Sequence, residues 1–218
     1  MIFNDGPWLV DFKYVVGTIR DINRVPMLYR ASRQFAYSHL KKFPSIIDAI
    51  KHIPRDKTLY KYESIDLKVT MLNPGWYPCI PGWHLDDFWR KNGQPALEEL
   101  DIHGSIHYMF FTEGGDSSTQ FMIGPHILPP PSEKDPSENV YGYYNRIIES
   151  DKAKIVSTLE PNRLYMFKCI DFHRGTPAKS SGWRIFFRLT QSNHRVPFNQ
   201  IRQQVQVYIP FSNLESGW

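Results

Sequence analysis

The sequence lacks several features that would assign the chain to a specialised class of protein. It contains two cysteines, Cys79 and Cys169, in 218 residues, too few for the disulfide framework of a small secreted domain. No apolar run approaches the roughly 20 residues that a membrane-spanning helix needs. The N-terminus also lacks a basic stretch followed by an apolar one, so it does not resemble a signal peptide. We therefore expect a soluble, cytoplasmic protein in which both cysteines are small core residues.

Charge of one sign is not concentrated either. The formal net charge is +4, and no dense run of lysine and arginine is present. Such a mild excess is compatible with an anionic substrate or with nucleic acid, but it requires neither. Hydrophobic residues make up 41% and aromatic residues 15%, beside 17 prolines and 13 glycines. This balance argues against disorder and favours strands and turns over a helical bundle, and the length fits one domain over residues 1–218.

The predicted elements begin with a helical region at 27–54, ahead of a β core at 58–192. Apolar residues recur at roughly helical spacing over 27–42, and Pro44 ends this first helix. Ser45 is the predicted N-cap of a second, short helix, whose apolar face consists of Ile46, Ile47, Ile50 and Ile53. We expect these helices to pack against one side of a sheet. The first 25 residues are predicted to be loop, with a short strand at 12–16.

Alternating β-branched and aromatic residues predict the strands of the core. The predicted strands cover residues 58–71, 83–86, 105–112, 119–123, 164–169, 172–176 and 184–191, with an edge strand at 204–209. The proline-rich segment 125–139 is predicted to be a surface loop, and 125–150 is either a lid over the site or a solvated connector. About eight short strands after two helices favour a mostly β sandwich or barrel.

The stretch with the clearest chemistry is His84-Leu85-Asp86. Side chains two residues apart along an extended backbone point the same way, so His84 and Asp86 can bind one metal ion together. The neighbouring Asp87 should point the opposite way. His173, in a distant segment, is the candidate third ligand. Two imidazoles and one carboxylate leave other coordination positions open and suit ferrous iron, although affinity alone does not select iron over zinc, cobalt or nickel.

With Arg184 following His173 at a distance of eleven positions, the pattern resembles the Fe(II)- and 2-oxoglutarate-dependent dioxygenases of the phytanoyl-CoA and taurine dioxygenase type. Their motif is His-x-Asp, a second His after a long gap, and an Arg roughly ten residues beyond it, here His84, Asp86, His173 and Arg184. The resemblance covers about residues 58–192. It implies a double-stranded β-helix, a jelly roll of cupin-like architecture, with Fe(II) as cofactor and 2-oxoglutarate and O2 as cosubstrates. The implied reaction hydroxylates a substrate C–H bond while 2-oxoglutarate is decarboxylated to succinate and CO2.

Strand alternation places Arg184, Phe186 and Arg188 on one face of the last core strand. Two inward guanidinium groups need an anionic partner to offset their lost hydration, whereas both form surface salt bridges if the opposite face is the core. The resemblance assigns Arg184 to the C5 carboxylate of 2-oxoglutarate and leaves Arg188 as a contact of the substrate or cosubstrate. Since Phe186 stands where some subfamilies have a serine, Tyr108 and Thr119 are the expected additional cosubstrate donors.

The sequence leaves the substrate open. Trp83 beside the ligand motif is either a substrate contact or a core residue, and aromatic side chains with a mildly basic surface suit a nucleobase or another flat anion. A free amino acid, a peptide side chain or a small metabolite fits equally well. A second class of function is a cupin-like metal enzyme or binding protein that keeps the three ligands but does not depend on Arg184. The third is a non-catalytic binding module in which the ligand pattern is accidental.

Overall fold

The structure is a computed structural model that describes residues 2–3, 6–10, 22–87, 90–91, 94–95, 104–124, 126–129 and 139–209. Numbered in chain order, the strands are β1 Ile2–Phe3, β2 Trp8–Leu9, β3 Leu28–Ala31, β4 Tyr62–Leu72, β5 Arg90–Lys91, β6 Gln94–Pro95, β7 Ile106–Phe111, β8 Thr119–Ile123, β9 His126–Ile127, β10 Ile155–Thr158, β11 Tyr165–Lys168, β12 His173–Gly175, β13 Gly182–Ser192 and β14 Gln200–Ile201. The helices are α1 Arg33–His39, α2 Pro44–His52 and α3 Val140–Ser150, with a 3-10 turn at Ile22–Arg24.

Two antiparallel sheets carry most of the described strands. A seven-stranded sheet has the order β14-β3-β4-β13-β7-β11-β2, and a three-stranded sheet has the order β10-β8-β12. Two short ribbons pair β1 with β9 and β5 with β6. Every strand pairing within the described residues is antiparallel. The prediction of a mostly β protein with N-terminal helices is therefore confirmed.

Strands β4 and β13 form the centre of the larger sheet. They pair along their full length, from Gly182 opposite Leu72 to Ser192 opposite Tyr62. One face of this pair packs against α1 and α2 through Ile65, Leu67, Val69, Ile185, Phe187 and Leu189. Full burial of an aliphatic or aromatic side chain contributes roughly 1.5–3 kcal/mol, so this face fixes which way each strand is turned. The alternate residues must then point toward the smaller sheet.

The helical region at 27–54 does not begin with a helix. Residues 28–31 form β3, in which Leu28 lies opposite Leu67 of β4, and Arg30 adopts a positive φ of 47° where the register shifts. Helix α1 starts only after Ser32, whose hydroxyl accepts a hydrogen bond from the backbone N–H of Phe35. The predicted helix over 27–42 is therefore wrong for its first residues, because pairing with β4 outweighs their helical spacing.

The second helix has the predicted face but a different start. Helix α2 begins at Pro44, with Phe43 as an N-cap residue that makes no side-chain capping bond. Proline is well suited to the first helical position, because the N–H that it lacks has no partner there. The prediction of Ser45 as N-cap is therefore wrong. The apolar face is confirmed, since Ile46 and Ile50 are fully buried.

The segment 125–150 is not a lid along its whole length, because residues 140–150 form a packed helix. Helix α3 is capped by the Asn139 side chain, which accepts a bond from a backbone N–H of the first turn. Its inner face shares an apolar cluster with Trp83 and Phe172, through the buried side chains Tyr143, Tyr144 and Ile148. Residues 140–150 therefore brace the ligand segment. Residues 125 and 130–138, like the predicted strand at 12–16, lie outside the described residues.

Most other core strands follow the sequence closely, whereas the strand or strand end predicted at 83–86 forms only an isolated bridge at His84. Strand β8 has the predicted bounds, and β4, β7, β11, β12 and β13 lie at the predicted places with ends shifted by a few residues. Strand β10 is present in the structure but not predicted from the sequence. The edge strand predicted at 204–209 is wrong in position, because β14 lies at 200–201 and Tyr208 forms only an isolated bridge with Tyr77. None of the described helices has the length and apolar character needed to cross a membrane.

Candidate metal centre

The three predicted ligands come together at one end of the smaller sheet. Their ligand atoms all lie within 4.8 Å of one another. His84 and His173 form an isolated antiparallel bridge, with N–H to carbonyl distances of 3.0 and 3.1 Å in the two directions. Asp86, two residues on, points to the same side as His84. Asp87 points away and accepts a hydrogen bond from the Ser105 hydroxyl at 2.9 Å, which confirms the predicted direction of both carboxylates.

Backbone carbonyls fix the orientation of both imidazole rings. The Nδ1 atom of His84 lies 2.8 Å from the carbonyl oxygen of Gly82, and that of His173 lies 2.9 Å from the carbonyl oxygen of Asp171. A carbonyl oxygen only accepts hydrogen bonds, so each Nδ1 carries the proton. Each Nε2 therefore keeps its lone pair for a metal ion, and the carbonyl contacts hold the rings in place as metal-site partners commonly do.

The electrostatic surroundings favour the protonation states that a metal ion needs. Burial, and next the nearby His173, lower the pKa of His84 to about 4. This imidazole is therefore neutral at neutral pH, the form that binds metal. Burial alone would raise the pKa of Asp86, but the charge of Arg188 holds it well below its usual value. The centre thus offers a neutral imidazole at His84 and an anionic carboxylate at Asp86, beside the Nε2 atom of His173.

A chain of buried charges supports Asp86 from behind. The Arg188 guanidinium donates to the Asp86 carboxylate, and its Nη2 lies 3.1 Å from Oδ2 of Asp66. Arg195 binds Asp66 at 2.8 Å and Asp87 at 3.2 Å. Two carboxylates already neutralise Arg188, so we assign it to holding Asp86 in place. Arg188 also lines the cavity, so its expected role as a contact of the substrate or cosubstrate stays a prediction.

The three ligands open onto a cavity of about 190 Å³ between the two larger sheets. It is smaller than the roughly 300–1,000 Å³ of pockets for drug-sized molecules. Apolar walls are provided by Met109, Phe167 and Phe186, whereas the basic lining residues are Lys68, Arg184, Arg188 and Arg202. The face of β13 that carries both predicted arginines is therefore turned inward, and the alternative of two surface salt bridges is wrong.

Arg184 is a buried cation without a counter-charge. Its side chain is about 3% exposed, and its guanidinium carbon lies 4.4 Å from the ring centroid of Phe111. Its Nε and Nη2 atoms have no hydrogen-bond partner in the described part of the chain. Burial lowers the pKa of Arg184 to about 10, so the group stays charged at neutral pH. A buried, unpaired guanidinium is costly, which indicates an anionic ligand in this cavity.

The remaining predicted site residues divide into one inside the cavity and two outside it. Thr119 of β8 lines the cavity. Tyr108 packs in the core cluster beneath α1 and α2, because it alternates with the inward residues of β7. Trp83 is fully buried beside α3, where its Nε1 donates to Glu149 at 2.8 Å and its ring lies 4.5 Å from the Arg174 guanidinium. Tyr108 as a cosubstrate donor and Trp83 as a substrate contact are thus corrected to core residues.

Sequence reasoning missed two basic residues of the cavity, Lys68 and Arg202. Lys68 had a detectable signal, since it lies two residues from both Asp66 and Thr70 on the polar side of an alternating strand. Arg202 had none, because it follows the short strand β14 and reaches the cavity only through that strand's pairing with β3. No known family model matches the chain, and no curated protein is recognisably similar to it in sequence.

Proposed function

We propose that the protein is an Fe(II)- and 2-oxoglutarate-dependent dioxygenase that hydroxylates a C–H bond of its substrate. One observation carries the proposal: the uncompensated guanidinium of Arg184 shares a small cavity with the His84, Asp86 and His173 ligand set. A molecule that chelates a metal at one end and carries a carboxylate at the other satisfies both features at once. 2-Oxoglutarate has this chemistry.

The donor atoms and the charge of the cavity fit both groups. Two imidazoles and one carboxylate leave positions for a bidentate cosubstrate and for O2, the arrangement of oxygen-activating ferrous enzymes. A carboxylate would also satisfy the unpaired guanidinium atoms of Arg184 in a charge-assisted pair. When bound, iron, 2-oxoglutarate and O2 supply the oxidising chemistry, in which decarboxylation to succinate and CO2 accompanies hydroxylation of the substrate.

The residues of the chain have distinct tasks in this proposal. His84, Asp86 and His173 hold the metal from one side. Arg188 keeps the Asp86 carboxylate ionised and in position, while Arg184 orients the far carboxylate of the cosubstrate. The apolar side chains of the cavity exclude water from the reacting atoms, and these are chiefly Met109, Phe167 and Phe186.

The fold that accompanies this proposal is a single domain built as a double-stranded β-helix. Its two faces would be the seven-stranded and three-stranded sheets, which enclose the cavity between them. The His84–His173 bridge adds the ligand segment to the edge of the smaller sheet. Ligands at the rim of two opposed antiparallel sheets support this assignment.

The test is an anaerobic titration of metal-free protein with Fe(II) and then with 2-oxoglutarate, followed by visible absorption. We expect the charge-transfer band of a chelated 2-oxo acid. The His173→Ala variant should bind no iron and show no band. The Arg184→Met variant should bind iron normally but require about tenfold or more 2-oxoglutarate, because it lacks a hydrogen-bonded charge worth roughly 1.5–3 kcal/mol.

A matched control is Arg163→Met, since Arg163 is half exposed and pairs with Glu160 at the surface. It should titrate like the wild type. Tight iron binding without the band would favour the cupin-like alternative that does not use 2-oxoglutarate. Wild-type affinity for 2-oxoglutarate in Arg184→Met would refute the cosubstrate assignment, and failure to bind iron would refute the metal centre.

A further inference from the structure

Two further cations, Lys68 and Arg202, line the cavity that contains Arg184. Lys68 of β4 places its ammonium 5.7 Å from the ring centroid of Phe186. Arg202 lies on the segment after β14, with its guanidinium carbon 4.8 Å from the ring centroid of Tyr29. The backbone N–H of Arg202 donates to the carbonyl of Met27 at 2.9 Å. Both side chains therefore reach the cavity from fixed positions.

No carboxylate of the described residues lies within ion-pair distance of Lys68 or Arg202. The acidic residue that lines the cavity is Asp86, and Arg188 already binds it. Burial, and next the proximity of Arg188 and Arg202, lower the pKa of Lys68. An anion placed between like charges in a partly buried site would stabilise both of them.

The strand register separates this pair from the proposed cosubstrate anchor. Lys68 lies opposite Phe186, whereas Arg184 lies opposite Thr70, two residues further along the strand. That step measures roughly 6.6 Å along a strand. Arg202 lies further from β13 still, because β14 and β3 precede β4 in the sheet order. An anion held by Lys68 and Arg202 is thus displaced from one held by Arg184.

The chain that carries Arg202 is fixed at the cavity mouth. Tyr77 and Tyr208 exchange two backbone hydrogen bonds of 2.8 and 3.1 Å. Three residues of the segment 202–208 line the cavity, namely Arg202, Gln206 and Tyr208. Gln206 is exposed, so this part of the lining faces solvent. The mouth therefore combines two cations, an amide and a phenol, all of which can donate hydrogen bonds to an oxyanion.

We propose that Lys68 and Arg202 form an anion subsite that binds a carboxylate or phosphate group of the primary substrate. The proposal rests on the proposed function, in which Arg184 is occupied by 2-oxoglutarate. The substrate is then a small acid whose anionic group lies at the mouth and whose reacting C–H bond points inward to the metal. A neutral molecule would leave both cations uncompensated.

The test is an anaerobic calorimetric titration of the protein with inorganic phosphate, in the presence of Fe(II) and saturating 2-oxoglutarate. Visible absorption is followed in the same samples, because a persistent charge-transfer band shows that phosphate has not displaced 2-oxoglutarate. We expect wild-type protein to bind phosphate and Lys68→Met and Arg202→Gln each to bind it about tenfold or more weakly. Lys68→Arg should retain binding, and the exposed-site control Lys152→Met should match the wild type.

The outcomes separate this proposal from the proposed function. Absence of phosphate binding to wild-type protein overturns the subsite, and so does unchanged affinity in both Lys68→Met and Arg202→Gln. The subsite is also overturned if Arg184→Met loses phosphate binding while Lys68→Met and Arg202→Gln keep it, because phosphate then binds at Arg184. If the charge-transfer band never forms, the titration is repeated on metal-free protein. Phosphate binding that depends on Lys68 and Arg202 then supports the subsite although the dioxygenase assignment has failed.

Discussion

Arg184 and Arg188 project from one face of β13 into one cavity, yet they have opposite surroundings. Burial disfavours the charge of both. For Arg188 this effect is outweighed by Asp86 and Asp66, so its pKa is raised. For Arg184 burial prevails and the pKa falls to about 10. The same residue type on the same face is therefore paired with two carboxylates in one position, whereas in the other it has no counter-charge within the described residues.

His107 is a second residue whose chemistry depends on its surroundings. It is fully buried, its Nδ1 lies 3.0 Å from the Thr190 hydroxyl, and its Nε2 has no partner within the described residues. Burial, and next the charge of Arg188, lower its pKa to about 3. His107 is thus part of the core, and its ring stays neutral in the folded protein.

A neutral buried histidine should make the metal-free protein sensitive to mild acid. Between its ordinary pKa of 6.5 and the folded value of about 3, the unfolded chain binds a proton that the folded chain does not, so stability falls as pH falls. At pH 5 this costs about 2 kcal/mol. We expect the loss of stability between pH 7 and pH 5, measured by urea unfolding, to shrink by about that amount in His107→Gln.

The exposed His39 provides the matched comparison. His39→Gln should show the full acid sensitivity of the wild type, because it replaces an exposed side chain and leaves His107 in place. Equal acid sensitivity in His107→Gln and wild type would show that another group is responsible.

At the scale of elements, Arg33 joins the helices to the sheet. Its guanidinium binds both carboxylate oxygens of Glu63 on β4, at 2.9 and 2.8 Å. It also donates to the carbonyl oxygens of Ile50 and Ile53 at the end of α2. One buried side chain of α1 thus satisfies the C-terminal carbonyls of α2 and a charge on the central strand pair. This contact holds the helical layer against the back of the site.

Removing the counter-charge of Arg33 should destabilise this junction. Burial alone would raise the pKa of Glu63, but hydrogen bonds from Arg33 and Gln191 lower it below 4.5. Its contribution is therefore present above pH 4.5 and is lost as pH falls through the folded pKa. We expect Glu63→Gln to lower the free energy of unfolding by about 3 kcal/mol at pH 7, with the difference from wild type narrowing in acid.

Denaturant unfolding at several pH values measures this effect. Glu160→Gln is the control, because Glu160 pairs with Arg163 at the surface, and exposed pairs contribute at most about 1 kcal/mol. A Glu63→Gln variant as stable as wild type at pH 7 would mean that the buried pair does not hold the helices.

The elements also show where sequence patterns mislead. Residues 28–31 have helical spacing but form β3, because Leu28 and Ala31 find partners on β4. Helix α3 was missed because its sequence follows a proline-rich stretch, although its buried tyrosines pack on Trp83. In both cases the deciding contact comes from a residue distant in the chain, which a local pattern does not contain.

At the scale of the whole molecule, the ligands come from two distant segments that only folding brings together. A metal ion bound by His84, Asp86 and His173 therefore binds the folded chain and not the unfolded one. Binding at a hundredfold excess over the dissociation constant stabilises a protein by about 2.7 kcal/mol. We expect anaerobic Fe(II) at that excess to raise the thermal unfolding midpoint by roughly 5–10 °C.

The His173→Ala variant should lose this shift, whereas the surface variant His52→Ala should keep it. An equal shift in His173→Ala would show that iron binds elsewhere on the chain. The measurement needs no substrate and no turnover, so it tests the metal centre separately from the proposed reaction.

The sequence by itself determined the local geometry of this protein. Side-chain direction along a strand is a local property with a period of two. It therefore places His84 and Asp86 on one side of their segment, and Arg184, Phe186 and Arg188 on one face of β13. The apolar face of α2 follows from its helical period in the same way. These features could be predicted because each depends on neighbouring residues alone.

The tertiary structure alone decided which charges meet. Sheet order and register placed Arg188 between two carboxylates, left Arg184 unpaired, and brought Lys68 and Arg202 to one cavity. The same packing removed Tyr108 and Trp83 from the site. These outcomes depend on the burial of apolar faces between segments far apart in the chain, and on the desolvation that this burial imposes on the charges beside them.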